Sequence, residues 1–238
     1  MDTQILVLEM FRAQCLVLGD QPKETADAIF FHSRGHGDDD GLFTHVGVLM
    51  TTARCVVING FNGEKMGGTK PQEASPGKDA YLRRLEGMSI RRERIVVTKP
   101  AFNTKEENEA FLDCAIEYNW RTAIVLGQAH QLLRCMLGMI KSMNDRSYQM
   151  RVYAMCPRPV NWSKMVGGSQ GAEKKERFSY IADEFIRIPR YQEKGDLASW
   201  EELSGYYQRR DAEYDEVVRA LMGMGGMTVR HYVLEENR

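Results

Sequence analysis

The chain has no excess of either charge: 32 basic residues stand against 33 acidic ones, a formal net charge of -1 over 238 residues. So balanced a composition offers no polyanion-binding field, and nucleic acid is not an expected partner. Long apolar runs are missing too, and no stretch approaches the roughly 20 uncharged apolar residues that span a bilayer. The five cysteines, Cys15, Cys55, Cys114, Cys135 and Cys156, form no CxxC pair and no Cys/His zinc spacing. Four of them lie inside apolar segments and read as reduced, buried thiols of a cytoplasmic protein. The opening MDTQILVLEMFRAQCLVLGD has apolar patches without a basic leader, interrupted by Glu9 and Arg12, so it reads as a helix rather than a signal peptide. The chain has no internal repeat, and only Gly35-His36-Gly37 follows the first expected strand, which counts against a conventional methyltransferase loop.

What is present is an alternation. Short, continuous apolar runs at 27–33, 54–60, 94–99, 122–127 and 150–155 alternate with helical patterns at about 42–53, 78–87, 104–119 and 129–143. Runs that are apolar throughout suit strands covered on both faces, and strand-helix alternation suits a parallel sheet. The expected fold is α/β: a three-layer, Rossmann-like, open and mostly parallel sheet with helices on both faces. Residues 1–24 form an amino-terminal helix and 25–156 the sheet domain. Residues 157–238 form a loop and a helical extension on the same domain, with helices at 171–187 and 198–222.

In such a sheet the strands end and the helices begin on one edge, where ligands bind. The polar clusters HSRGHGDDDG, NGFNGEKMGG, TKPAFNT and GQAH all fall there. Glycines admit a ligand close to the backbone, and helix amino termini attract anions. The helix after Thr104 carries Phe111, Cys114, Ala115 and Tyr118 at i, i+3, i+4, i+7. Continued backward, that stripe runs through Asn108, Glu107 and Thr104. In the next helix His130 extends the stripe of Leu133, Met136, Leu137 and Ile140, with Arg134 one turn on.

Plainer readings stand beside these. Thr104 with Glu107 forms a capping box. His130 reads as a core histidine, Arg134 as a solvated helix residue, and the glycine turns as ordinary connections. His32, His36 and His45 with Asp38, Asp39 and Asp40 raise a metal site, but their spacing fits no closed site and a solvated acidic loop is preferred. No metal ligands are assigned.

DAIFFHSRG, VVINGFNG, the Asp79-Ala80 pair, FNTKEEN and LGQAHQLLR together resemble the signature blocks of the YdcF/SanA/ElyC-like family, a bacterial domain of unknown function. The resemblance covers about residues 25–156 and is most specific in the NT…EN block and the His and Arg block that follows. Asn59 stands in place of the usual Ser, Asp79 in place of the common Glu, and NTKEEN is one residue longer than the family's NT-x-EN. His130 and Arg134 are four apart rather than three. The acid of the block is therefore Glu106 or Glu107, with the helical stripe favouring Glu107. The resemblance implies a Rossmann-like fold with a pocket at the sheet edge. Some members bind S-adenosylmethionine, and without a membrane anchor this chain is similar to the soluble, YdcF-type branch.

The expected function is binding of a small polar or anionic ligand, S-adenosylmethionine or nucleotide- and phosphate-like. Gly35, Gly37, Asn59, Gly60, Gly63, Asp79, Asn103, Thr104, Asn108, Gln128 and Arg134 would hold it. Glu107 and His130 are the expected proton-transfer pair of a hydrolase or transferase, with Arg134 as anion clamp. A non-catalytic metabolite sensor is the alternative, and a metal-dependent hydrolase the third reading.

Overall fold

The computed structural model describes residues 3–32, 39–62, 76–167 and 174–221. Its chain order is α1 (Thr3–Leu18), β1 (Ala26–Phe31), α2 (Asp40–Leu49), β2 (Ala53–Ile58), α3 (Lys78–Gly87) and, after a 3-10 turn at Arg92–Arg94, β3 (Ile95–Val97). Then follow α4 (Thr104–Glu117), β4 (Thr122–Leu126), α5 (Leu132–Asp145), β5 (Arg151–Met155), β6 (Met165–Val166), β7 (Lys175–Glu176), α6 (Ser179–Glu193) and α7 (Trp200–Leu221). Each expected strand forms within a few residues of its apolar run.

The main sheet has the order β3-β2-β1-β4-β5, and every pairing in it is parallel. The expected α/β, Rossmann-like architecture is thus present, with a helical carboxy-terminal region. Strand order reverses between β1 and β4, because the chain leaves β3 at one edge, crosses over with α4 and returns to pair β4 with β1. That reversal opens the crevice in which open α/β sheets hold ligands.

Two hydrophobic clusters cover the two faces of the sheet. Ile29, Phe31, Phe43, Val46, Tyr81 and Leu85 join β1 to α2 and α3 on one face. Ala28, Phe30, Phe111, Leu137, Met139 and Leu203 join β1 to α4, α5 and α7 on the other, where Met10 and Val17 of α1 also pack. The alternation along β1 is the period-two rule of a strand. Helix α5 is buried nearly all round, because it lies between the sheet and its neighbours α1, α4 and α7.

The α4 stripe lies differently from expectation. Ala110, Phe111, Leu112 and Ala115 are buried, whereas Tyr118 follows the helix and is exposed, stacked on Trp120 at 5.2 Å. Helix α5 starts at Leu132, so Gln128 to Gln131 form a turn and His130 is not on the helix; the Gln128 carbonyl accepts from the amides of Gln131 and Leu132. Among the described residues no helix is long and apolar enough to cross a membrane.

The carboxy-terminal region is locked to β5 by a buried ion pair. Arg210 on α7 donates to both carboxylate oxygens of Asp20 at 2.8 and 3.0 Å and to the Val152 carbonyl at 2.9 Å. Asp20 also accepts from the Ala154 amide and from the Tyr207 hydroxyl.

Candidate functional site

The site begins with the end of α4. Asn103, rather than Thr104, is the N-cap: its side-chain oxygen accepts from the Glu106 amide at 3.0 Å. Glu106 closes the box by accepting from the Asn103 side-chain amide at 2.8 Å and from the Phe102 amide at 2.7 Å. The expected Thr104 and Glu107 capping box is therefore shifted by one residue. The shift has a physical consequence: Glu106, on the exposed side, caps the helix, and Glu107, on the sheet side, is free for another role.

Glu107 is buried, and its two carboxylate oxygens have different partners. One accepts from the Asn59 side-chain amide at 3.2 Å; the other lies 3.2 Å from Nδ1 of His32. Asn59, directly after β2, is itself fixed. It donates to the Ala101 carbonyl at 2.7 Å and accepts from the Ala101 and Phe61 amides at 3.0 Å each. It thus clasps the β3-to-α4 crossover to the end of β2 and presents its remaining N–H to Glu107.

His32 continues β1 by one backbone rung, its amide donating to the Leu126 carbonyl at 3.1 Å. Two residues after Phe30 it shares that residue's face and points toward the α4 and α5 layer, with its ring 4.3 Å from that of Phe30. Burial opposes charging of this imidazole. The adjoining Cys135 sulfur and the Glu107 carboxylate outweigh it and raise the His32 pKa to about 10. The Cys135 sulfur supports the charged ring both through its field and as a hydrogen-bonding neighbour. The shift favours a buried imidazolium-carboxylate pair at the carboxyl end of β1, beside the reversal of strand order. Sequence reasoning placed His32 only in a metal-ligand cluster; its position two residues after Phe30 on a continuous strand was the available signal.

Asn108, the next residue of α4, is fully buried. Its amide nitrogen is 3.5 Å from the Cys135 carbonyl, and its side-chain oxygen has no hydrogen-bond partner among the described residues. A Cβ at position 138 would lie 2.4 Å from that nitrogen, so the glycine of α5 is what admits the Asn108 amide.

Asn108 also borders a cavity of about 370 Å³ between the starts of α4 and α5 and the α6-to-α7 turn. Asn103, Thr104 and Arg134 line it as well, so four of the expected ligand residues meet around one space. Lys105, Tyr191, Asp196 and Leu197, which sequence reasoning did not single out, complete the wall with Gly138. Arg134 does not stand alone there. It makes a two-pronged contact with Glu184 of α6 at 2.6 and 3.2 Å and donates to the Thr104 hydroxyl at 2.7 Å. Glu184 lies fifty residues away on the carboxy-terminal extension, and nothing in the local sequence marks it as a partner.

The other expected residues do not line this cavity. His130 is buried in the β4-to-α5 turn with its ring 5.2 Å from Tyr180, and Gln128 is buried at the start of the same turn. Asp79 is on the exposed start of α3, where Asn62 donates to its carboxylate at 2.9 Å and accepts from its amide at 3.1 Å. That hydrogen bond holds the Asp79 pKa below the usual carboxylate range. Gly60 has a packing reason: a Cβ there would sit 2.0 Å from the Thr98 carbonyl oxygen. Gly35, Gly37 and Gly63 lie outside the described residues, as do His36 and Asp38. Among the described residues no group of three or more His, Cys, Asp or Glu side chains is arranged to hold a metal ion.

No protein-family model matches the chain, and no curated protein matches it.

Proposed function

We propose that the chain is a YdcF-like protein that takes a small polar ligand at the carboxyl edge of its sheet and acts on it as a hydrolase or transferase. The observation that carries this reading is the Glu107 carboxylate, buried at the reversal of strand order between the Asn59 amide and the His32 imidazolium. Desolvating two charges is costly, and unlike the Asp20 and Arg210 pair, which anchors α7 beside β5, this one lies at the reversal of strand order. A reaction that moves a proton has a use for it. Asn59 fixes the carboxylate, so Glu107 and His32 form the proton-transfer pair in this reading. His130 takes a supporting place in the neighbouring turn.

The second reading, a metabolite sensor, has its own observation: Glu184 ties α6 to Arg134, so a ligand contacting Arg134 acts directly on the carboxy-terminal region.

Native mass spectrometry of the freshly purified protein, followed by denaturation, tests the pocket. The expected result is a co-purifying small molecule that is lost in Glu107→Gln. With that molecule in hand, turnover by the wild type but not by Glu107→Gln supports an enzyme; binding without turnover supports a sensor. A bound molecule unaffected by Glu107→Gln and by Asn108→Leu would place the ligand elsewhere and overturn both.

A further inference from the structure

The charged groups around the cavity are all in ion pairs, Glu184 being shared between Arg134 and Arg187. Lys105 lies 2.6 Å from Asp196 at the rim, and Arg134 lies 2.6 Å from Glu184 further in. Arg134 remains charged because Glu184 more than offsets its burial. Two hydrogen-bonding capacities nevertheless remain. Of the five N–H groups of a guanidinium, three of those on Arg134 are committed to Glu184 and Thr104, which leaves donors for an acceptor. The Asn108 side-chain oxygen, fully buried and without a partner among the described residues, requires a donor. An unmatched buried acceptor is costly, and a Cβ at position 138 would lie 2.4 Å from the Asn108 amide nitrogen, so glycine there leaves the amide its space.

We infer that this cavity takes a zwitterionic, α-amino-acid-like ligand. Its carboxylate would accept from Arg134, and its ammonium group would donate to the Asn108 oxygen. Its side chain would lie against Leu197 and Tyr191. Such a ligand brings an acceptor for the remaining Arg134 donors and a donor for the Asn108 oxygen. The volume of about 370 Å³ lies at the small end of ligand sites, which run from about 300 to 1,000 Å³. The inference rests on the site reading above and adds to it the class of ligand.

The test uses the full chain and three kinds of probe at equal millimolar concentration: each of the standard α-amino acids, inorganic phosphate, and adenosine monophosphate. Thermal shift and ligand-observed NMR read binding. At least one amino acid is expected to bind and the two phosphates not to. Asn108→Leu should weaken that binding by roughly tenfold or more, the equivalent of about 1.4 kcal/mol. Leu197→Trp, which fills the cavity from the α6-to-α7 side, serves if Asn108→Leu does not fold. Asp196→Asn, which leaves Lys105 unpaired, should bring weak phosphate binding where the wild type has none. Phosphate or adenosine monophosphate bound by the wild type and lost in Leu197→Trp would overturn the ligand class while leaving the pocket standing. If no amino acid binds, the ligand class is wrong. If, in addition, the co-purified molecule survives Leu197→Trp, the pocket reading fails with it.

Discussion

The protein contains two buried polar networks of similar make-up that end differently. In the first, Asp20 and Arg210 face each other beside β5, and the Asp20 carboxylate accepts from Arg210, Tyr207 and the Ala154 amide. Arg210 adds the Val152 carbonyl and Asp211. In the second, around Glu107 and Arg134, the charges are also paired, yet the side-chain oxygen of Asn108 has no hydrogen-bond partner among the described residues. A closed network holds pieces of the chain together. An open one in a crevice keeps capacity for something that arrives later, and the difference separates a clasp from a site more clearly than burial or charge does.

The contrast breaks first, and most strongly, at Arg210. Arg210→Ala strands the Asp20 carboxylate in a dry environment, for which the expected loss is about 3–5 kcal/mol of unfolding free energy, measured by urea denaturation. Ligand binding by the folded fraction should be unchanged. A variant that folds normally but loses the co-purified molecule would show that the clasp belongs to the site.

Glu107→Gln comes next. The amide keeps an oxygen for Asn59 and loses the charge that faces His32, so the stability cost is expected near 1–3 kcal/mol. Turnover should fall by about 10²–10⁴, the range for removal of a general acid or base. Equal effects on stability and no effect on ligand would make the Glu107 network a second clasp.

How much of this contrast could be read in the sequence follows from the range of each interaction. The strands are continuous apolar runs and so were legible. The burial of Glu107 was legible as well, because one face of a helix repeats within a few residues. The cap was misread by one position, since Asn103 and Thr104 are both good caps and only the backbone decides which one is extended. The His32 and Glu107 pair was not legible. It joins β1 to a helix that reaches the same face only after the crossover from β3, and the two residues are 75 positions apart. Glu184 and Asp196, supplied by the carboxy-terminal region, were hidden for the same reason.

The pH dependence of stability offers a finer test. His32 is raised from 6.5 to about 10 in the folded protein. A raised pKa favours the folded state fully below 6.5, and the contribution is lost as pH climbs through about 10. The denaturant midpoint should therefore decline more steeply over that alkaline window in the wild type than in His32→Gln, where the contribution is absent. Parallel curves would mean that His32 is neutral in the folded state and that its bond to Glu107 is an uncharged one.

The smallest effect is expected at Lys105 and Asp196. This pair is short at 2.6 Å, but its side chains are 50% and 28% exposed. Solvent and salt screen such a pair, so Lys105→Met should change stability by less than about 1 kcal/mol. Its importance lies in the balance of charge at the cavity rim. Removing the lysine leaves Asp196 uncompensated, which should weaken an amino acid probe at its carboxylate end and raise the sensitivity of binding to ionic strength. If binding is unchanged, the rim pair does not contribute to recognition, and the selection of charge rests on Arg134 and Glu184 deeper in the cavity.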